Sequence, residues 1–237
     1  EDMVVFIQDL RAAMDAAQPG SLLTLATPAI DWSGAWDYDL IADSSDFLFI
    51  MGYAFAGSWS NPQPNAPLDG GAPWGSRSLR WSVQDYLQWG GANNTQKIIL
   101  GLPLYGHDWE TTGSSIPGVD DGVMDTLFFD ESRDLAAVRG QQWEPVSATP
   151  YSTYQVGSQW HQAWFDDAVS IGMKAQMAKD EGIGGFGFWA LNYDDDDPVL
   201  WSSVQTVLDG WDGGLGDDDD DDDDDDSGPG DDDDATD

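Results

Sequence analysis

The sequence predicts an α/β fold built on a parallel sheet, and three observations carry that expectation. Segments with helical apolar spacing alternate with short apolar runs, in the order helix, strand, helix, strand, helix, strand, a long irregular stretch, helix, strand, helix. Units repeating in this way lay successive strands side by side in one direction. The runs are near-continuously apolar, as in Phe47-Leu48-Phe49-Ile50-Met51, which is the pattern of a strand covered on both faces. No Gly-x-Gly-x-x-Gly follows the first strand, so a dinucleotide site is not indicated. A barrel and an open doubly wound sheet both fit these observations.

The elements follow in chain order. Val4, Phe6, Leu10 and Met14 recur at helical spacing and predict a helix over 3–17, which Pro19-Gly20 ends. A short strand at 22–27, a short helix near 36–42 and a strand at 46–53 come next. Residues 56–77 are rich in Gly, Pro, Asn and Ser. They predict a long loop, which in a compact domain is functional or disordered. A helix at 78–89 and a strand at 97–103, closed by Pro103, follow. Residues 106–163 show no helical period and read as an insertion with short strands. A helix at 165–180, a strand at 184–191 and a helix at 199–208 complete the fold. The four strands are expected to be parallel and adjacent in sequence order, with helices outside and one open apolar side.

Composition narrows the partners. Asp plus Glu number 45 against 8 Lys plus Arg, and 15 of the acids lie from Asp217 onward. The remaining 30 acids still far outnumber the bases, so nucleic acid and anionic membranes are excluded as partners. Of the acids, 40 are Asp, a bias that suits a salty habitat. Without cysteine there is no disulfide, zinc–thiolate site or thiol nucleophile. No apolar run has the length of a membrane span. The run Asp217 to Asp226 and the acids after it predict a solvated linker or tail over 213–237. Evenly spaced carboxylates with a turn glycine, as calcium capture requires, are absent there. Thirteen Trp are either core or platforms for sugar rings, whose C–H faces pack on indole.

Four strand ends carry unusual chemistry. They read Thr27-Pro28-Ala29 with Asp31-Trp32 beyond, Met51-Gly52-Tyr53, Pro103-Leu104-Tyr105-Gly106-His107-Asp108-Trp109, and Trp189-Ala190-Leu191-Asn192-Tyr193. Functional groups of parallel α/β folds gather at such ends. Flat aromatics beside hydroxyls and amides are the makeup of a sugar site.

These motifs resemble the chitinases of glycoside hydrolase family 18. Gly101-Leu102-Pro103-Leu104-Tyr105-Gly106 resembles the "Gly-x-Pro-x-Tyr-Gly" end of strand seven, and Met51-Gly52-Tyr53 the "Met-x-Tyr-Asp" end of strand six. Gly184-Gly185 through Trp189-Ala190-Leu191 resembles the "Gly-Gly-x-x-x-Trp-x-Leu" of strand eight. Phe165-Asp166-Asp167, Ser170 and Lys174 match the segment before it. The resemblance covers about residues 3–209 and implies a partial (β/α)8 barrel over 1–212, comprising strands five to eight, with 106–163 inserted between strands seven and eight. It implies a secreted or cell-surface glycosidase, monomeric and without metal or organic cofactor. Its substrate would be a β-1,4-linked N-acetylglucosamine polymer, chitin or peptidoglycan. It further implies that Trp189 floors the sugar ring, Tyr53 hydrogen-bonds the acetamido group, and Tyr105 lines the same subsite. Met51, His107, Trp109 and Asn192 are further substrate-binding candidates. Hydrolysis in this family is substrate-assisted and retaining, with a Glu as general acid at strand four. That signature, Asp-x-x-Asp-x-Asp-x-Glu, is absent here. Glu1 is a poor stand-in, because Asp2-Met3 leaves almost no loop before the first helix, so the acid is expected upstream and residues 1–237 alone inactive. Ala54 stands where the family has Asp. A non-catalytic sugar-binding protein of the same fold is the alternative.

Overall fold

The structure, a computed structural model, describes residues 2–90 and 92–211, the side chains of Ala92 and Asn93 aside. Glu1 and the predicted acidic tail lie outside the described residues. The chain runs through α1 (Asp2–Ala17), β1 (Thr24–Pro28), α2 (Tyr38–Asp43), β2 (Phe47–Met51), α3 (Leu79–Trp89), a 3-10 turn (Ala92–Lys97) and β3 (Ile98–Pro103). It continues through β4 (Tyr105–Thr111), β5 (Asp120–Phe128), α4 (Phe129–Arg139), β6 (Gln142–Glu144), β7 (Thr149–Val156) and β8 (Gln159–Trp164). It closes with α5 (Ala168–Asp180), β9 (Gly185–Trp189) and α6 (Pro198–Leu208).

The first sheet has the order β1-β2-β3-β9 and is parallel throughout. Its register sets Pro28 beside Met51, Met51 beside Gly101, and Pro103 beside Trp189. The motif residues therefore share one edge because the strands end in step. One face of the sheet, with Leu48, Ile50, Leu100 and Leu102, is buried against Ile41, Val83, Ile171 and Leu200 of the helices. On the opposite face Phe47, Phe49, Met51 and Ile99 are only half-buried, as expected of an open apolar side. The Phe49 ring lies across that face in space left by two glycines. A Cβ at Gly101 would collide with it, and one at Gly187 would sit 2.9 Å from it.

The helix starts are fixed by side chains. Ser78 Oγ accepts from Trp81 N at 3.2 Å and caps α3. The Asp167 carboxylate accepts from Val169 N and Ser170 N at 3.0 and 2.8 Å, which starts α5 at Ala168 rather than at 165. Just before that cap, the Asp166 carboxylate pairs with the Lys174 ammonium, both wholly inside the protein. Burial pushes the Asp166 carboxyl up and the Lys174 amine down, and their mutual attraction opposes both shifts.

Two expectations need correction. The buried residues of α1 are Val4 and Ile7, while Phe6 is exposed; Phe6 lies about 200° around the helix from Val4. Residues 106–163 also hold a helix, α4, beside an antiparallel sheet of order β5-β4-β8-β7-β6. Helix α4 buries only Phe129 and Ser132, so it has no apolar stripe for periodicity to detect. Its ends hold it instead. Glu131 accepts from Phe128 N at 2.9 Å, and Gly140 N closes on Ala136 O at 2.8 Å. Helix α4 is tied to the end of β3 by Phe129 N donating to Leu104 O at 3.0 Å, and to the start of α6 by the Arg133–Asp197 pair at 2.9 Å.

Candidate functional site

The C-terminal edge of the parallel sheet is tied together by Asn65, a buried residue of the 56–77 loop. Its carbonyl oxygen Oδ1 accepts from Ala54 N at 3.0 Å, its Nδ2 donates to Tyr105 O at 3.3 Å, and its backbone oxygen accepts from Phe55 N at 3.0 Å. One side chain thus bridges the turn after β2, where Ala54 has φ 61°, to the start of β4. Sequence reasoning marked the loop but not this residue; an Asn in a Pro-rich loop gives no signal of a tertiary bridge.

The Tyr53 and Tyr105 rings meet edge to face with centroids 6.0 Å apart. Burial, and then the neighbouring Tyr105, pushes the Tyr53 phenol up to about 12. Burial also raises the Tyr105 phenol, against a hydrogen bond from Asn65. Both hydroxyls are thus protonated donors at neutral pH. Trp189 ends β9 with 53% of its surface exposed. Its backbone oxygen accepts from Leu104 N at 2.8 Å, and the following peptide is cis. Its indole makes no ring contact with Tyr53 or Tyr105. Met51 is half-buried and lines a cavity of about 250 Å³ together with Tyr53, Ala54 and Trp32.

The other candidates divide. His107 packs edge-on to both Tyr105 and Trp109, with centroids 5.6 and 5.4 Å away. Burial lowers it to about 4, so the ring is neutral, and its Nδ1 is buried without a partner. Trp109 is 0% exposed, packed with Trp164 and Ala56. It cannot present a ring face to a ligand, which corrects its expected role. Strand β4 carries alternate residues 105, 107 and 109 on one face, and that face turns under the 56–77 loop. Asn192 sits in an exposed turn at φ 67° and makes no hydrogen bond among the described residues.

Three of the five glutamates are engaged in contacts away from the strand ends. Glu131 holds the start of α4, Glu144 accepts from Ser147 N at 2.7 Å, and Glu181 pairs with Arg80 at 3.0 Å. Glu110 lies in β4, opposite His161 of β8. Asp108, raised by burial, accepts from the Tyr154 hydroxyl at 2.7 Å and lies 3.0 Å from His161 Nδ1. Among the described residues no group of three or more His, Cys, Asp or Glu is placed to hold a metal ion, and no helix is long and apolar enough to cross a membrane.

The described residues form an α/β architecture in which an antiparallel sheet is inserted between the third and fourth strands of a parallel sheet whose strand ends carry aromatic residues. The sequence model of glycosyl hydrolases family 18 matches residues 1–194, and the chain belongs to that family. The chain is 28% identical to the di-N-acetylchitobiase of Mus musculus over 183 residues, which cover 68% of this chain and 47% of that protein. It is 27% identical to Chitinase A1 of Niallia circulans over 223 residues, 82% of this chain and 31% of that protein. The chain thus spans less than half the length of these relatives. The crystal structure of a family 18 chitinase from Cycas revoluta in complex with (GlcNAc)3 superposes with a TM-score of 0.73 at 24% identity, covering 87% of this chain and 63% of that one. That likeness is one of fold.

Proposed function

We propose that the chain forms the sugar-holding part of a hydrolase acting on β-1,4-linked N-acetylglucosamine polymers. The observation that carries this reading is that the half-exposed indole of Trp189 and the Tyr53–Tyr105 ring pair stand at the ends of strands that stop in step along one sheet edge, in a family 18 chain. In this reading β1, β2, β3 and β9 are strands five to eight of a (β/α)8 barrel, and the second sheet is the insertion before strand eight. Trp189 floors the ring at the cleavage point. Tyr53 donates to the acetamido carbonyl, whose oxygen attacks the anomeric carbon as the glycosidic bond breaks; water then attacks the same carbon from the face the leaving group vacated, and the two displacements together retain configuration. The Tyr105 hydroxyl and the Met51 side chain line the same subsite, and neutral His107 backs Tyr105. The proton for the leaving oxygen comes from a Glu outside residues 2–211. The chitinases among the relatives, the engagement of Glu131, Glu144 and Glu181, and the matched strand-end motifs support this reading. A secreted or cell-surface location suits a polymer of this size.

Trp189→Ala in the complete encoded protein tests it. Binding of N-acetylglucosamine oligomers is expected to weaken by about 1–3 kcal/mol, taking the scale of a nucleobase stacked on an aromatic side chain for a sugar ring packed on indole. Unchanged affinity in a folded variant overturns the platform role. The second reading, a protein that binds the polymer without cleaving it, draws on Ala54, where the motif has Asp. Oligomer binding without turnover in the complete protein decides for it.

A further inference from the structure

Away from the strand ends, a cavity of about 830 Å³ opens between the loop after β1 and the outer face of α3. Four indoles line it: Trp32 and Trp36 from the loop, Trp81 and Trp89 from the helix. Trp81, Asp85 and Trp89 recur every four residues and so form one stripe. The outer face of a surface helix ordinarily carries polar residues, yet this one turns two indoles outward. Trp32 is 78% exposed and Trp89 61%. These rings are held in place. The Arg77 guanidinium lies 3.6 Å from the centroid of the Trp81 ring and 5.8 Å from that of Trp32. The Asp31 carboxylate accepts from Ser33, Ala35 and Trp36 backbone N–H groups at 3.2, 3.2 and 2.9 Å, which shapes the loop that carries Trp32 and Trp36.

The cavity is not isolated. Ile30 and Trp32 also line the 250 Å³ cavity beside Tyr53 and a 380 Å³ cavity beside Trp59. Trp32 therefore stands between the strand-end site and the α3 flank.

We infer that this flank is a second sugar-holding surface, which grips a neutral polysaccharide strand away from the point of cleavage. Indole faces take the C–H faces of pyranose rings, and carboxylates and a guanidinium take their hydroxyls. Four Asp line the cavity against the single Arg77, a balance that repels anionic glycans. The volume falls within the range of sites for sizeable ligands, about 300–1,000 Å³. Only the choice of polymer rests on the function proposed above.

The test uses the complete encoded protein, carrying 5-fluorotryptophan, titrated with N-acetylglucosamine hexamer and with cellohexaose and followed by fluorine NMR. Single Trp replacements assign the resonances. The hexamer is expected to move Trp81 and Trp89 as well as Trp189, in separate titrations. A Trp36→Ala/Trp89→Ala double variant is expected to bind insoluble chitin about tenfold more weakly while its turnover of a chromogenic trimer stays unchanged. If Trp189 responds and Trp81 and Trp89 stay still with both ligands, the inference falls and the proposed function stands. If Trp81 and Trp89 respond to either ligand and Trp189 does not, the inference stands and the strand-end reading falls. If none responds, both fall. Retention of the double variant on chitin equal to the parent's also overturns the inference. Should the double variant misfold, the fluorine titration of the parent decides alone.

Discussion

Replacing Lys174 with alanine is expected to lower the unfolding free energy by about 3–5 kcal/mol, because it strands a buried carboxylate without its partner. Lys174 and Asp166 have side chains 0% and 2% exposed, and their ion pair sits at the start of α5. The helix packs through Ile171 and Ala175 into the main core, so the loss falls on the whole fold. Replacing both partners, Lys174→Met with Asp166→Leu, is expected to recover most of the loss, since a buried ion pair is often matched by apolar residues of similar volume. Urea unfolding at neutral pH, read by circular dichroism, measures both. A single variant as stable as the parent would show that the pair opens to water.

Tyr53→Phe in the complete protein is expected to cut kcat on a chromogenic N-acetylglucosamine oligomer by about 10²–10³-fold, the effect of removing one preorganised donor from a developing negative charge. The fold should be unaffected, because the Tyr53 hydroxyl makes no hydrogen bond within the described residues and its ring contact with Tyr105 survives in phenylalanine. Because the Tyr53 phenol is raised to about 12, it remains a donor throughout the neutral and mildly alkaline range. An alkaline limb of the parent's kcat profile in the mildly alkaline range should therefore not come from Tyr53, whose phenol burial pushes up. A variant with unchanged kcat removes Tyr53 from the chemistry.

The parallel sheet was legible because each of its strands is a short apolar run between turn signals, and because helix and strand alternate. The strand-end aromatics were legible for the same reason: in such a sheet the residues after each run share one edge. What escaped was tertiary. Trp109 follows the same motif as Tyr105, but nothing local says that β4 turns its inward face beneath another loop. Helix α4 has no apolar stripe, so only its terminal hydrogen bonds mark it. Asn65 acts through three hydrogen bonds to segments that are remote or have no shared period. The Asp166, Asp167, Ser170 and Lys174 set was visible as a motif. Its work is structural, a helix cap and a buried ion pair, which sequence spacing does not distinguish from a site.

In the proposed reading, residues 2–211 bind and orient the sugar while the proton donor lies outside them. The direct measurement compares residues 1–237 with the complete encoded protein on a chromogenic N-acetylglucosamine oligomer, with circular dichroism as the control for folding. Turnover is expected from the complete protein and none from residues 1–237. Turnover by a folded chain of residues 1–237 that disappears with Glu181→Gln or Glu110→Gln would contradict that reading.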